Sequence, residues 1–175
     1  MSRRARLYLI TPPAFELEAF SRALEEALIG GDVACVQLRL KDVSDAEVLR
    51  IGAALKPIAQ SADAAFILND RPDLAAKLDA DGVHVGQQDA RYGEARALMG
   101  LDRIVGVTCH NSRDLAYEAA EAGADYVAFG VPALVGDRMT AGDHRLELID
   151  WWAEIFQTPC VAFDVEDARG RGLPQ

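Results

Sequence analysis

The sequence predicts an α/β fold, a TIM-type (βα)8 barrel that stops after its seventh strand, and three observations carry that prediction. Seven short apolar or β-branched runs alternate with six longer stretches of helical apolar spacing. The second run, VACVQLRLK, places Cys35, Gln37, Arg39 and Lys41 on one face and Val36, Leu38 and Leu40 on the other, so one face turns basic toward its carboxyl end. A barrel with its pocket at the carboxyl mouth accounts for that asymmetry, whereas an open sheet covered on both faces calls for apolar residues throughout. Beyond Asp164 the chain reads VEDARGRGLPQ, with neither helical spacing nor a further strand.

In chain order, the expected strands are Leu7 to Thr11, Val33 to Arg39, Ala64 to Asn69, Gly82 to Val85, Arg103 to Cys109, Tyr126 to Gly130 and Cys160 to Asp164. The helices between them are expected at Phe15 to Ile29, Ala46 to Ala59, Pro72 to Leu78, Arg91 to Met99, Ser112 to Ala122 and Leu146 to Phe156. Ser44 followed three residues on by Glu47 has the spacing of a capping box, and Asn111-Ser112 is a start signal for the fifth helix. Val131 to Arg145 is long for a connection inside a barrel and is irregular, with glycine, proline and mixed charge.

With 175 residues, half of them hydrophobic, the chain suits one domain over residues 1–175 and is long enough to bury a core without disulfide or structural metal. Its 28 acidic against 18 basic residues give a formal charge of −10, which opposes binding to nucleic acid or anionic membranes. The apolar stretch behind the arginine-bearing N-terminus, Leu7 to Ile10, is too short for a signal-peptide core or a membrane span. Cys35, Cys109 and Cys160 are odd in number, far apart and set in apolar runs, as expected of reduced thiols in the cytoplasm.

Polar residues gather where the strands end: Gln37, Arg39 and Lys41, then Asn69 and Asp70, then Gln88 and Asp89, then Thr108 and His110. In a barrel these ends converge on one mouth. Two carboxylates one β-α unit apart, facing a guanidinium and an ammonium, suit Mg2+ and pyrophosphate, with hard oxygen ligands for the ion and cations for the remaining phosphate charge. Each residue also has a plainer reading. Asp70 before Pro72 can cap a helix, Asp89 can start the helix at Arg91, and His84 between Val83 and Val85 reads as an interior histidine. His110 stands evenly between the two kinds of role.

The motifs LYLIT, QLRLK, ILNDR, DGVHVGQQD, GVTCHN and ADYVAFG, in this order from Leu7 to Gly130, resemble the thiamine phosphate synthase family and its sister thiazole tautomerases. The resemblance implies a (βα)8 barrel, a transferase activity and a magnesium cofactor. The reaction it implies joins hydroxymethylpyrimidine pyrophosphate to a thiazole phosphate, giving thiamine phosphate and pyrophosphate. By position, Gln37, Arg39 and Lys41 correspond to pyrophosphate-binding residues assisted by Asn69, and Asp70 and Asp89 to magnesium ligands. Thr108 stands where the family has a serine near the migrating pyrophosphate, and His110 where the tautomerases move a proton. The alternatives to the synthase are a tautomerase using His110 and a non-catalytic protein that retains the magnesium-pyrophosphate pocket.

Two stretches depart from the family pattern. VPALVGDRMTAGDHR replaces a Thr-rich phosphate loop ending in lysine, and VEDARGRGLPQ replaces the eighth unit with its phosphate-binding backbone amides. A barrel stopped after seven strands leaves strand edges open, so the sequence predicts a homo-oligomer formed through that gap or a lowered stability.

Overall fold

The computed structural model describes residues 5–130 and 144–163. The chain divides into two compact units, Met1–Val105 and Gly106–Gln175. Strand order follows chain order and the strand pairings within each unit are parallel, the topology of the TIM-type (βα) barrel predicted from the sequence.

The first unit contains β1 (Leu7–Ile10), α1 (Leu17–Gly30), β2 (Val33–Leu38), α2 (Asp45–Ser61), β3 (Ala65–Asn69), α3 (Pro72–Leu78), β4 (Gly82–Val85) and α4 (Tyr92–Met99). In β2, β3 and β4 side chains of both faces are buried, as a covered parallel sheet requires: Val36, Leu38, Phe66, Leu68, Val83 and Val85 on one face are at most 2% exposed, and Gln37, Ile67 and His84 on the other at most 3%. Helices turn one apolar stripe toward them, Ile51 and Leu55 from α2 and Leu74 from α3. Their starts are set by local chemistry. The Glu16 carboxylate accepts from the backbone N–H of Glu18 and Ala19 at the head of α1, while Phe15 stacks on Phe20, a hydrophobic staple across the cap. Ser44 Oγ accepts from Glu47 N at 3.3 Å, but the Glu47 carboxylate turns to Arg50. Only half of the predicted capping box therefore forms.

The second unit holds most of β5 (Ile104–His110), then α5 (Arg113–Ala122), β6 (Tyr126–Phe129), α6 (His144–Ile155) and β7 (Cys160–Ala162). Ser112 caps α5 through Leu115 N at 3.2 Å, as its position predicts. Trp152 anchors this unit: it is 1% exposed, stacks on Phe156 at 3.9 Å between ring centres, meets Phe129 edge to face and donates from Nε1 to Thr158 O at 2.7 Å.

Most expected elements are present with ends shifted by a residue or two, and α3 and β4 match their expected bounds. Helix α6 starts at His144, inside the stretch read as irregular; positions 131–143 of that stretch, Asp164 and the tail 165–175 lie outside the described residues. No described helix is long and apolar enough to cross a membrane. Cys35 and Cys109 are buried, Cys160 half-buried, and all three are free; burial pushes the first two thiols up to about 12.

Candidate active site

The carboxyl ends of β2, β3 and β4 bring polar side chains together in the first unit. Gln37, 1% exposed, lies opposite Ile67 in the parallel register, so Asn69, two residues further along β3, shares its face. Gln37 Nε2 donates to Asn69 Oδ1 at 2.7 Å. The other end of the same amide, Gln37 Oε1, is buried without a hydrogen-bond partner among the described residues. A buried acceptor left in that state costs about 1–3 kcal/mol, which marks it as an atom built for a donor.

Arg39 and Lys41 lie beyond the strand, not on its face. The sequence predicts a strand through Arg39 whose alternation reaches Lys41, but β2 stops at Leu38 because other groups take the next backbone N–H donors. Thr11 N donates to Gln37 O at 3.0 Å, Thr11 Oγ1 accepts from Arg39 N at 3.0 Å, and Pro13 O accepts from Lys41 N at 3.1 Å. The segment after β1 thus steers residues 39–41 out of the sheet. The Arg39 guanidinium makes no hydrogen bond or ion pair with the described residues.

Asp70 follows β3 in the left-handed region, at φ +65°, a conformation that Asp tolerates. Its N–H donates to His84 O at 2.8 Å and its Oδ2 accepts from Lys41 Nζ at 2.9 Å. It does not cap α3: the cap position is Arg71, with no side-chain bond to the helix. Asp89 likewise does not start α4, whose cap position is Arg91. Asp89 Oδ2 instead accepts from Gly86 N at 2.9 Å, and its carboxyl is raised above the usual range by burial, then by the hydrogen bond that its protonated form donates to the Asp70 carboxylate and by the charge of Asp70. A Cβ on Gly86 would stand 2.5 Å from Asp89 Oδ2, so the glycine makes room for this approach.

Two carboxyl groups that close repel one another when both are ionised, and a divalent cation between them relieves the repulsion. Among the described residues no cluster of three or more His, Cys, Asp and Glu side chains accompanies them. A pair of carboxylates fits Mg2+, which takes one or two from a protein and completes its octahedron with water and substrate phosphate. His84 is fully buried and pushed down to about 4, chiefly by burial, against the opposing charge of Asp70. It is a neutral interior histidine at physiological pH, the plainer of its readings.

Thr108 and His110 belong to the second unit. Thr108 is buried opposite Ala128, and His110 ends β5 exposed at φ +51°, with its carbonyl accepting from Gly130 N at 2.9 Å. The strand shifts register between the two, skipping Cys109, and His110 pairs with Phe129. Three further residues shape the first unit's site without having been singled out: Thr11, Gly86 and Arg71. Thr11 and Arg71 sit inside LYLIT and ILNDR, yet neither residue type at its position announces which partner it will find.

Parallel β/α proteins that collect polar side chains at the carboxyl ends of consecutive strands bind small molecules there, and this arrangement of amide, carboxylates and cations places the chain in that class. The chain belongs to the thiamine monophosphate synthase family, whose family model matches residues 7–163. It is 58% identical to the thiamine-phosphate synthase of Rhodospirillum centenum over 157 residues, 90% of this chain and 76% of that one. It is 45% identical to the thiamine-phosphate synthase of Erythrobacter litoralis over 161 residues, 90% and 75% of the two chains. Among solved structures, thiamine phosphate pyrophosphorylase from Pyrococcus furiosus superimposes with a TM-score of 0.74 at 32% identity, over 94% of this chain and 78% of that one.

Proposed function

We propose that this chain is a thiamine phosphate synthase, joining hydroxymethylpyrimidine pyrophosphate to a thiazole phosphate and releasing pyrophosphate. The observation that carries the reading is the meeting of Asp70, Asp89 and Lys41 beside the Gln37–Asn69 amide pair at the ends of three consecutive strands. Asp70 and Asp89 would hold Mg2+, which when bound neutralises charge on the pyrophosphate.

In this reading Arg39 offers its guanidinium fork to phosphate oxygens and Lys41 the point charge of its ammonium. Gln37 and Asn69 orient the pyrophosphate from a buried platform. As the bond from the pyrimidine methylene to pyrophosphate breaks, negative charge grows on the leaving group, and these fixed cations and dipoles stabilise it while the thiazole nitrogen attacks the methylene carbon. For Thr108, in the second unit, the leaving-group role rests on the family resemblance alone. Little proton transfer is required, in accord with a neutral buried His84. The free cysteines and the net charge of −10 support a cytoplasmic setting without nucleic-acid partners.

The test is a product assay with both substrates and Mg2+, in which thiamine phosphate and pyrophosphate should appear in equal amounts. The exposed imidazole of His110 at a strand end favours thiazole tautomerisation as the second reading. Aromatisation of the thiazole tautomer without coupling, lost in His110→Ala, would replace the synthase by that activity. Magnesium-dependent pyrophosphate binding without either product would mark a non-catalytic relative.

A further inference from the structure

We infer that Arg71 is a positioning residue that holds the loop bearing Arg39 and Lys41 in place beside the Asp70 turn. The inference rests on the diphosphate-binding reading above. Arg71 directly follows Asp70, and four of its five guanidinium N–H groups are engaged away from that carboxylate. Nη1 and Nη2 donate to the two oxygens of Asp45 at 2.7 and 3.0 Å, while Nε and Nη2 donate to those of Asp73 at 3.0 and 2.8 Å. Asp45 is the first residue of α2 and Asp73 lies in the first turn of α3, so one planar fork ties the starts of two consecutive helices.

The consequence concerns the segment 39–44 between β2 and α2. Its beginning is fixed by Thr11 Oγ1 and Pro13 O, which accept from the N–H of Arg39 and of Lys41, and its end is fixed at Asp45 by Arg71. Between these ends Asp42 adopts φ +56° and Lys41 reaches Asp70. The other side of the clamp is equally local, since Arg71 N donates to Asn69 O at 2.9 Å within the turn that carries Asp70. Loop and turn therefore share one joint. Arg71, Asp45 and Asp73 are each about half exposed, a setting in which ion pairs add little stability, so the effect of the joint is geometric. A bidentate fork defines direction as well as distance, which an ammonium does not.

The test uses the full chain, measuring pyrophosphate binding with Mg2+ by calorimetry together with thermal unfolding. Asp45→Asn cuts the link to α2 and leaves the Arg71–Asp73 pair, whereas Asp73→Asn cuts only the pair within the turn; both remove one carboxylate from a helix start. Asp45→Asn and Arg71→Lys should weaken binding about tenfold, Asp73→Asn less than about threefold, and Asp45→Glu should recover most of the loss. In the coupling assay KM for the diphosphate substrate should rise by the same factor with a smaller change in kcat. Equal losses in Asp45→Asn and Asp73→Asn that follow the fall in Tm would reduce Arg71 to a helix-stabilising residue, and unchanged affinity in Asp45→Asn and Arg71→Lys would also overturn the inference. A wild-type chain that binds no pyrophosphate with Mg2+ overturns the diphosphate reading and this inference with it.

Discussion

At the proposed site, single residues are expected to trade stability for binding. Gln37 buries an acceptor with no partner among the described residues, so Gln37→Met should leave Tm unchanged or raised while pyrophosphate affinity falls; parallel unfolding and calorimetry read both effects. Arg39, whose guanidinium has no partner among the described residues, should contribute directly: Arg39→Ala should cost about 2 kcal/mol of magnesium-pyrophosphate binding, roughly 30-fold. Asp89 gives a pH signature. Its carboxyl is raised by burial and by Asp70, so between its unfolded and folded pKa values the native state holds the extra proton. That contribution to stability is complete below the unfolded value and is lost as pH rises through the folded one. Denaturation midpoints without divalent cation should therefore fall across this window in the wild-type chain and flatten in Asp89→Asn.

Strand ends and turns decide which residues meet. Gly86→Ala would force the Asp89 carboxylate off the Gly86 N–H, so magnesium dependence should weaken about tenfold while Tm moves by only a few degrees. Gly106→Ala tests packing instead, because a Cβ there would overlap the ring of Tyr126; we expect a loss of about 3 kcal/mol or more in a denaturant titration. The elements themselves were legible in the sequence, since alternating periods of two and 3.6 report which face is buried, and α3 with Pro72 at its first position matched to the residue. The local purpose of Asp70 was not legible. A carboxylate before Pro-initiated helix reads equally as a cap, and only the left-handed turn and the reach of Lys41 across 29 positions distinguish the roles. The same holds for the end of β2, where a threonine hydroxyl from the segment after β1 takes a donor that the strand pattern assigned to the sheet.

At the scale of the molecule, the magnesium-diphosphate site proposed for this member of the thiamine monophosphate synthase family lies at the carboxyl ends of its early strands. Gathering there follows from topology, because parallel strands joined by helical crossovers all end on the same side. The motifs that carry the family resemblance stand in the sequence, and the most direct test addresses the carboxylate pair Asp70 and Asp89. That test is calorimetry of pyrophosphate with and without Mg2+ on the wild-type chain, Asp70→Ala, Asp89→Ala and the double variant. The account predicts magnesium-dependent binding in the wild type, its loss in either single variant, and little further loss in the double, as for two ligands of one ion. Binding indifferent to Mg2+, or losses that simply add, would contradict it.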